Sequence, residues 1–321
     1  MFGNRLGWGI SALMWLAAAY LVYAIVHVGE PSPPTGWATV SVHTLQLPAG
    51  ADAVLPGMTD TRDAADFYRL AIDDYNNNPD AYAALEKVTA VDEKTKLPGI
   101  AAILEATPCA KMNLFRGKPE EVVKYDVEKE PLEALYHVAQ IVKRLALLYE
   151  DKKPAMAARH YAALFSLGVK MYQERVVYDE LVKGEDLMGT GVNGLRALAV
   201  RAKNGKLSAA ASAFEDARLA DYTANIEPVW TVISSIDDDT IERYAGDMFL
   251  IAKDKSFDSL WRVEAAMKVG RLRFNAGRIG DQVAARRFLR SLANDPAEDP
   301  AVRAAAAAGR DLKIEQYRQL R

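Results

Sequence analysis

The residues best suited to chemistry are few, and each has a packing role to be weighed beside it. Gly189-Thr190-Gly191-Val192-Asn193-Gly194 spells G-x-G-x-x-G. In a dinucleotide site, such glycines turn tightly after a buried strand and open a helix whose N-terminus holds the pyrophosphate, with an acidic residue about 20 positions on. Here the preceding stretch, ERVVYDELVKGEDLM, is charged and helix-like, and Glu215, at a passable spacing, falls inside another helical run. These glycines are therefore expected to form an irregular turn or to let two helices approach closely. Gly117-Lys118 and Gly205-Lys206 lack the earlier glycine of a phosphate loop. His27, His43, His137 and His160 show no metal-binding spacing, and His137 and His160 sit beside tyrosines on helical runs, where packing is expected. Asp237-Asp238-Asp239 lacks the glycine and distal glutamate of a helix-loop-helix calcium site, and helix capping is expected. No G-x-S-x-G elbow occurs. Cys109 is the single cysteine, which excludes an intrachain disulfide, a multi-cysteine zinc site and C-x-x-C-H haem attachment; a small buried thiol is expected. No catalytic residue, metal or cofactor follows from these patterns.

The elements around those residues begin with an apolar run. Leu6–Val28 holds 23 residues with no ionisable side chain except His27. At about 1.5 Å per helical residue it is long enough for a hydrocarbon core of about 30 Å. Trp8, Trp15, Tyr20 and Tyr23 give it anchoring aromatic character. A cleaved signal peptide is the competing reading, but the run is longer than a usual apolar region and no A-x-A precedes Gly29-Glu30-Pro31. Lipoprotein processing is excluded because no cysteine follows the run. Arg5 precedes it, and no Lys or Arg follows until Arg62, so residues 1–5 are expected in the cytoplasm and the remainder outside. In a bacterium this is a single-pass inner-membrane protein with a periplasmic domain.

Residues 29–59 read as a proline-rich extended spacer, opening with Glu30-Pro31-Ser32-Pro33-Pro34. Alternation of Val40 and Val42 against Trp37, Leu45 and Leu47 suggests one short strand near residues 37–47. From residue 60 to 321 the expectation is all-α. Asp60 or Thr61 is expected to cap a helix carrying Ala64, Phe67, Tyr68, Ala71, Ile72 and Tyr75 on one face. Asn76-Asn77-Asn78-Pro79 stops it and Asp80 caps the next. Further helices are predicted over Leu132–Tyr149, Ala155–Tyr172, Leu195–Lys203, Leu207–Tyr222, Thr240–Ile251, Leu260–Phe274, Gln282–Ala293 and Ala301–Leu320, with Ser235-x-x-Asp238 as a capping box.

Within Leu195–Ala217 two short helices are expected to meet at Asn204-Gly205, glycine relieving a positive-φ helix end, and Ala210, Phe214 and Ala217 share one face of the second. This resembles a tetratricopeptide repeat. A poorer copy has Leu145, Leu148, Ala157, Tyr161 and Leu164, with Lys152 where glycine would stand, and Ala64-x3-Tyr68-x2-Ala71 echoes its second helix. Ala157 and Ala210 lie 53 positions apart, whereas that family repeats at about 34, and its consensus tryptophan is missing. Asp299-Pro300-Ala301-Val302-Arg303-Ala304-Ala305-Ala306 resembles the opening helix of a HEAT-type repeat. Together the resemblances imply a solenoid-like domain, tetratricopeptide-like over about 145–222 and HEAT-like over about 260–321, that binds proteins along a concave face. An irregular helical bundle with Ala-rich helices is the alternative.

Composition is globular, at 50% hydrophobic and 26% charged residues over 321 positions. A net charge of −3 gives no reason to expect nucleic acid. Charge is uneven: from Trp261 onward 13 Lys and Arg face 7 Asp and Glu, whereas the rest of the chain carries 27 against 36. Arg271, Arg273, Arg278, Arg286, Arg287 and Arg290 are the candidate partner-binding residues, suited to an acidic partner or anionic lipid heads. The functional expectation is a non-catalytic scaffold or accessory subunit of a larger inner-membrane complex, respiratory or photosynthetic for example, whose anchor meets the bilayer and whose helical domain grips other subunits or periplasmic proteins. Alternatives are a freestanding periplasmic adaptor in envelope assembly and, in another class, an enzyme with a non-obvious site.

Overall fold

The computed structural model describes residues 45–90, 97–125, 130–275 and 279–320. The apolar run Leu6–Val28, with Trp8, Trp15, Tyr20 and Tyr23, lies outside them, as do Arg278 and residues 37–44 of the expected strand. Leu45–Leu47 form no strand. Among the described residues no helix is long and apolar enough to cross a membrane.

The described chain is mostly helical, as expected. A helical turn, α1 (Ala51–Val54), precedes strand β1 (Asp60–Asp63), followed by α2 (Ala65–Asn77), α3 (Pro79–Leu85), α4 (Pro98–Glu105) and strand β2 (Cys109–Lys111). The long helices follow: α5 (Glu130–Tyr149), α6 (Pro154–Glu174), α7 (Tyr178–Arg201) and α8 (Gly205–Asp221). A π-helical turn at Tyr222–Ile226 runs into α9 (Glu227–Ser235), then α10 (Ala245–Lys253), α11 (Ser259–Asn275), α12 (Ile279–Asn294), α13 (Pro300–Asp311) and α14 (Ile314–Gln319).

Several boundaries differ from the sequence expectations, each for a local reason. Asp60 does not cap a helix: it sits in β1, which pairs in parallel with β2, and its carboxylate binds the Arg62 guanidinium at 2.6 Å. Asp63 Oδ1 accepts the Ala65 N–H at 2.9 Å at the true helix start. Asp80 lies in the first turn of α3, because Pro79 takes the first helical position, where a missing N–H costs nothing. The expected break before Leu195 is absent, since residues 178–201 form one helix. Positive φ falls on Lys203 (55°), while Asn204 Oδ1 caps α8 through the Leu207 N–H at 3.1 Å. Ser235 is no capping residue either. Asp237 Oδ1 accepts from the Asp239 and Thr240 N–H groups, both at 3.0 Å. The run predicted over Ala301–Leu320 divides at Leu312-Lys313. Two helices without a sequence signal, α4 and α9, are short and open with proline. Leu45, Ala51 and Val54 belong to the common core, although they lie in the stretch that reads as spacer.

Two helices form the centres of packing. α6 is buried on nearly every face from Ala157 to Glu174 and packs on α4, α5 and α7. Apolar residues all round are what a helix enclosed by others requires. Three-residue connections on either side of α7 lay α6, α7 and α8 in antiparallel succession. Further along, α11 packs on α10, α12 and α13 around fully buried Trp261. Fully burying each large apolar side chain contributes roughly 1.5–3 kcal/mol.

A polar seam joins the two centres. Arg175 and Asp258 form a 2.8 Å ion pair with side chains 13% and 2% exposed. Asp258 Oδ2 also accepts the Leu45 N–H at 3.1 Å, and Arg175 Nη2 donates to the Leu45 carbonyl at 2.9 Å. The same carboxylate caps α11 through the Leu260 N–H. Nearby, Arg116 Nη2 donates to Ser259 Oγ at 2.8 Å, and Tyr178 stacks on Trp230 at 3.5 Å.

Candidate functional site

The G-x-G-x-x-G glycines lie in the middle of α7, without the strand and turn of a nucleotide site. Of the two expected roles, close helix approach is the one found. A Cβ at Gly191 would fall 2.5 Å from the Phe165 backbone nitrogen, and one at Gly194 would fall 2.3 Å from the Tyr161 ring, both on α6. Gly189 faces the other way: a Cβ there would sit 3.1 Å from Arg218 Nη2, so the guanidinium of α8 rests on bare α7 backbone.

Arg218 is held between two carboxylates. Its Nη1 donates to Glu185 Oε2 at 2.6 Å, while Nη2 and Nε donate to the two oxygens of Glu215 at 2.8 and 2.9 Å. Burial pushes both carboxyls up. At Glu215 the bidentate bond to Arg218 more than reverses this, and its pKa ends low. At Glu185 burial prevails and its pKa stays raised. Glu185 is 5% exposed, and its second oxygen, Oε1, is buried without a hydrogen-bond partner.

Glu185 and Arg218 floor a groove of about 690 Å³ between α5, α7 and α8. Lys143 and Leu147 form one wall, Leu219 and Tyr222 the other, and Asp186, Thr190 and Asn193 continue the floor along α7. Leu147, Val182 and Leu219 are 56%, 39% and 49% exposed, so three large aliphatic side chains rim a polar floor. Asp186 Oδ2 accepts from Tyr136 OH at 2.8 Å. The arrangement can take up an apolar group beside a polar one. A second hollow, of about 620 Å³, lies beside the stacked Tyr75 and His137 rings.

The other reactive side chains are enclosed. Cys109 is fully buried, which raises its thiol pKa. His160 is buried against Tyr149, and its Nδ1 lies 2.7 Å from the Met156 carbonyl oxygen. Lys170 donates to Ser166 Oγ, whose own hydroxyl donates to the Thr107 carbonyl at 2.8 Å, and burial pushes Lys170 down to about 8. Glu174 and Glu180 form a buried acid pair. Glu174 Oε1 accepts the Arg116 N–H at 2.6 Å and Glu180 Oε2 accepts the Val176 N–H at 2.7 Å, while Glu174 Oε2 and Glu180 Oε1 have no other donor. Burial raises both carboxyls, Glu174 to about 7, and their mutual repulsion raises Glu180 further, so the pair holds a proton at neutral pH.

The five described arginines of the candidate set divide into two groups. Arg271 pairs with Asp238 at 2.8 Å, and Arg273 donates to the Gly309 and Arg310 carbonyls at the end of α13. Arg286, Arg287 and Arg290 lie exposed on α12. The groove and the acid pair were not singled out from sequence. The available signals were the Glu215–Arg218 spacing of three and the charged Lys170 and Glu174 in phase with the buried face of α6. Comparison of the chain with known protein families, with characterised proteins and with solved structures finds no match.

Proposed function

We propose that this protein is a membrane-anchored, non-catalytic scaffold whose exported helical domain grips a partner polypeptide in the groove between α5, α7 and α8. The observation that carries the reading is the exposed aliphatic rim over a preformed ionic floor. An aliphatic residue left outside beside a concave polar floor is a feature of binding surfaces. The helical succession α5 to α8 supports stacking of the tetratricopeptide kind, with Ala157, Tyr161, Leu164 and Phe214 buried where that pattern puts its packing residues. Around α13, Asp299 caps the helix through the Ala301 N–H at 2.8 Å, as a HEAT-type opening requires. In this reading Leu6–Val28 is the anchor and the domain is exported, periplasmic if the source is a bacterium, with Arg286, Arg287 and Arg290 as a second, basic docking face.

The test is extraction in mild detergent followed by native electrophoresis of wild type and Leu219→Asp. The scaffold reading expects wild type to migrate within a larger assembly and the rim variant to be released from it. Migration of wild type as a lone 35.3 kDa chain refutes the reading.

A further inference from the structure

The turn between α6 and α7 holds the strap Leu45–Val54 against the helices. Arg175, in that turn, has a φ of 29°, a left-handed conformation that is strained for a residue with a side chain. In this conformation its guanidinium spans Asp258 and the Leu45 carbonyl, so the turn, the loop before α11 and the strap meet at one residue. Leu45 and Gln46 join no sheet, and their backbone groups are met by side chains. Asp258 Oδ2 accepts the Leu45 N–H at 3.1 Å, and Tyr172 OH lies 3.0 Å from the Gln46 carbonyl oxygen.

Glu174 and Glu180 bracket this turn. Each gives one oxygen to a backbone N–H, of Arg116 and of Val176, and turns the other toward its partner with no donor from elsewhere. Two facing, buried carboxyls close only around a proton. Once that proton passes to solvent, two like charges remain in contact, and the repulsion is relieved by moving apart the helix ends that carry them. Arg116 and Asp63 face the pair with opposite charges. Arg175 is engaged by Asp258, and Glu264 of α11 accepts the Tyr178 N–H at 2.9 Å.

We infer that Glu174 and Glu180 form a proton-operated latch: with the proton shared, the turn is closed and Arg175 holds Leu45; with the proton lost, the turn loosens and residues 45–54 are released from it. The strap is where the chain from Leu6–Val28 reaches the helical domain, so the latch sets how firmly the two are joined. It is independent of the groove and of what fills it.

Hydrogen exchange of the full chain in detergent, followed by mass spectrometry from pH 6 to pH 9 and corrected for intrinsic rates, tests this. Wild type should lose protection by at least about tenfold at residues 45–57 and 172–180 over this range, while α5 and α12 keep theirs. Glu180→Gln, a permanent donor to Glu174, should hold both segments within about twofold. Flat protection in wild type, an equal loss in Glu180→Gln, or a loss spread evenly over all helices overturns the latch. Should Glu180→Gln fail to fold by circular dichroism, infrared difference spectra of wild type decide instead. The carbonyl stretch of a protonated carboxyl must then disappear over the same pH interval as the protection of residues 45–57, and protection lost while that band persists overturns the inference.

Discussion

Replacing Gly191 by alanine tests how α6 and α7 meet, and everything that lines the groove depends on that meeting. The new Cβ would lie 2.5 Å from the Phe165 nitrogen, 2.7 Å from its Cβ and 2.8 Å from its Cα. Carbon contacts settle near 3.5–4.0 Å. No rotamer change can remove backbone atoms, so α6 and α7 must separate by roughly 1 Å at this point. Overpacking of this kind costs about 1–3 kcal/mol, against a gain of about 1 kcal/mol from replacing glycine within a helix. Because the obstacle is backbone, the upper half of that range applies, and a net loss of about 1–2 kcal/mol is expected. Thermal unfolding of the full chain in detergent, followed by far-ultraviolet circular dichroism, should show Tm lowered by about 2–8 °C. Gly205→Ala is the matched control: nothing lies within 4 Å of its added Cβ, so its Tm should stay at or above that of wild type. If Gly191→Ala is as stable as Gly205→Ala, the two helices do not approach as described.

Other expectations follow from the buried charges. Folded protein keeps the proton shared by Glu174 and Glu180 after the unfolded chain has lost it, so this pair makes stability fall as pH rises from about 4.5 through about 7, and further until Glu180, raised beyond Glu174, also ionises. Glu180→Gln supplies a permanent donor to Glu174; its Tm should exceed that of wild type at pH 8, by roughly 1–3 kcal/mol in stability, and match it near pH 4, and equal Tm values at both would refute the shared proton. Asp258→Ala leaves Arg175 buried without its anion and frees the Leu45 N–H, so a loss of about 3–5 kcal/mol is expected, with faster proteolytic cleavage between Pro48 and Gly57; unchanged cleavage would mean that Leu45 is held by packing alone. Reversal of Arg286, Arg287 and Arg290 to glutamate should alter Tm by no more than about 1–2 °C, because all three are exposed, but should weaken retention in the larger assembly on native gels; full retention would mark α12 as solvated surface.

The helical class and the long helices were legible because α5, α6, α8, α11 and α12 each carry apolar residues at helical spacing over many turns. The same periodicity could not show α4 or α9. Each spans too few turns to express a period, and each is held by burial of Ile100 and Ile103 or Val229 and Ile233. The break expected before Leu195 is more instructive, since Gly189–Gly194 lie within one continuous helix. Glycine weakens an isolated helix by about 1 kcal/mol, and three of them in six residues read locally as a break. In α7 the cost is offset by contact with α6, visible only when Phe165 and Tyr161 are placed opposite. Tertiary packing therefore overrode local propensity at the segment that floors the groove.

Charge was hard to read for a related reason. The C-terminal excess of basic residues offered six arginines as one candidate set, yet helical phase divides those described. Arg271 and Arg273 turn toward Asp238 and the end of α13, while Arg286, Arg287 and Arg290 turn outward. Arg218, by contrast, has only Glu215, three residues before it, as a signal in the sequence. Its distinguishing partner, Glu185, is 33 residues away on the preceding helix. A surface pair of this spacing contributes only a few tenths of a kcal/mol, whereas enclosing the same atoms against Gly189 makes the geometry exacting and leaves one oxygen of Glu185 unpaired. The geometry of this groove thus depends on the packing of α7: the glycines that bring the backbones together also bring the acid and base into a shared, incomplete network.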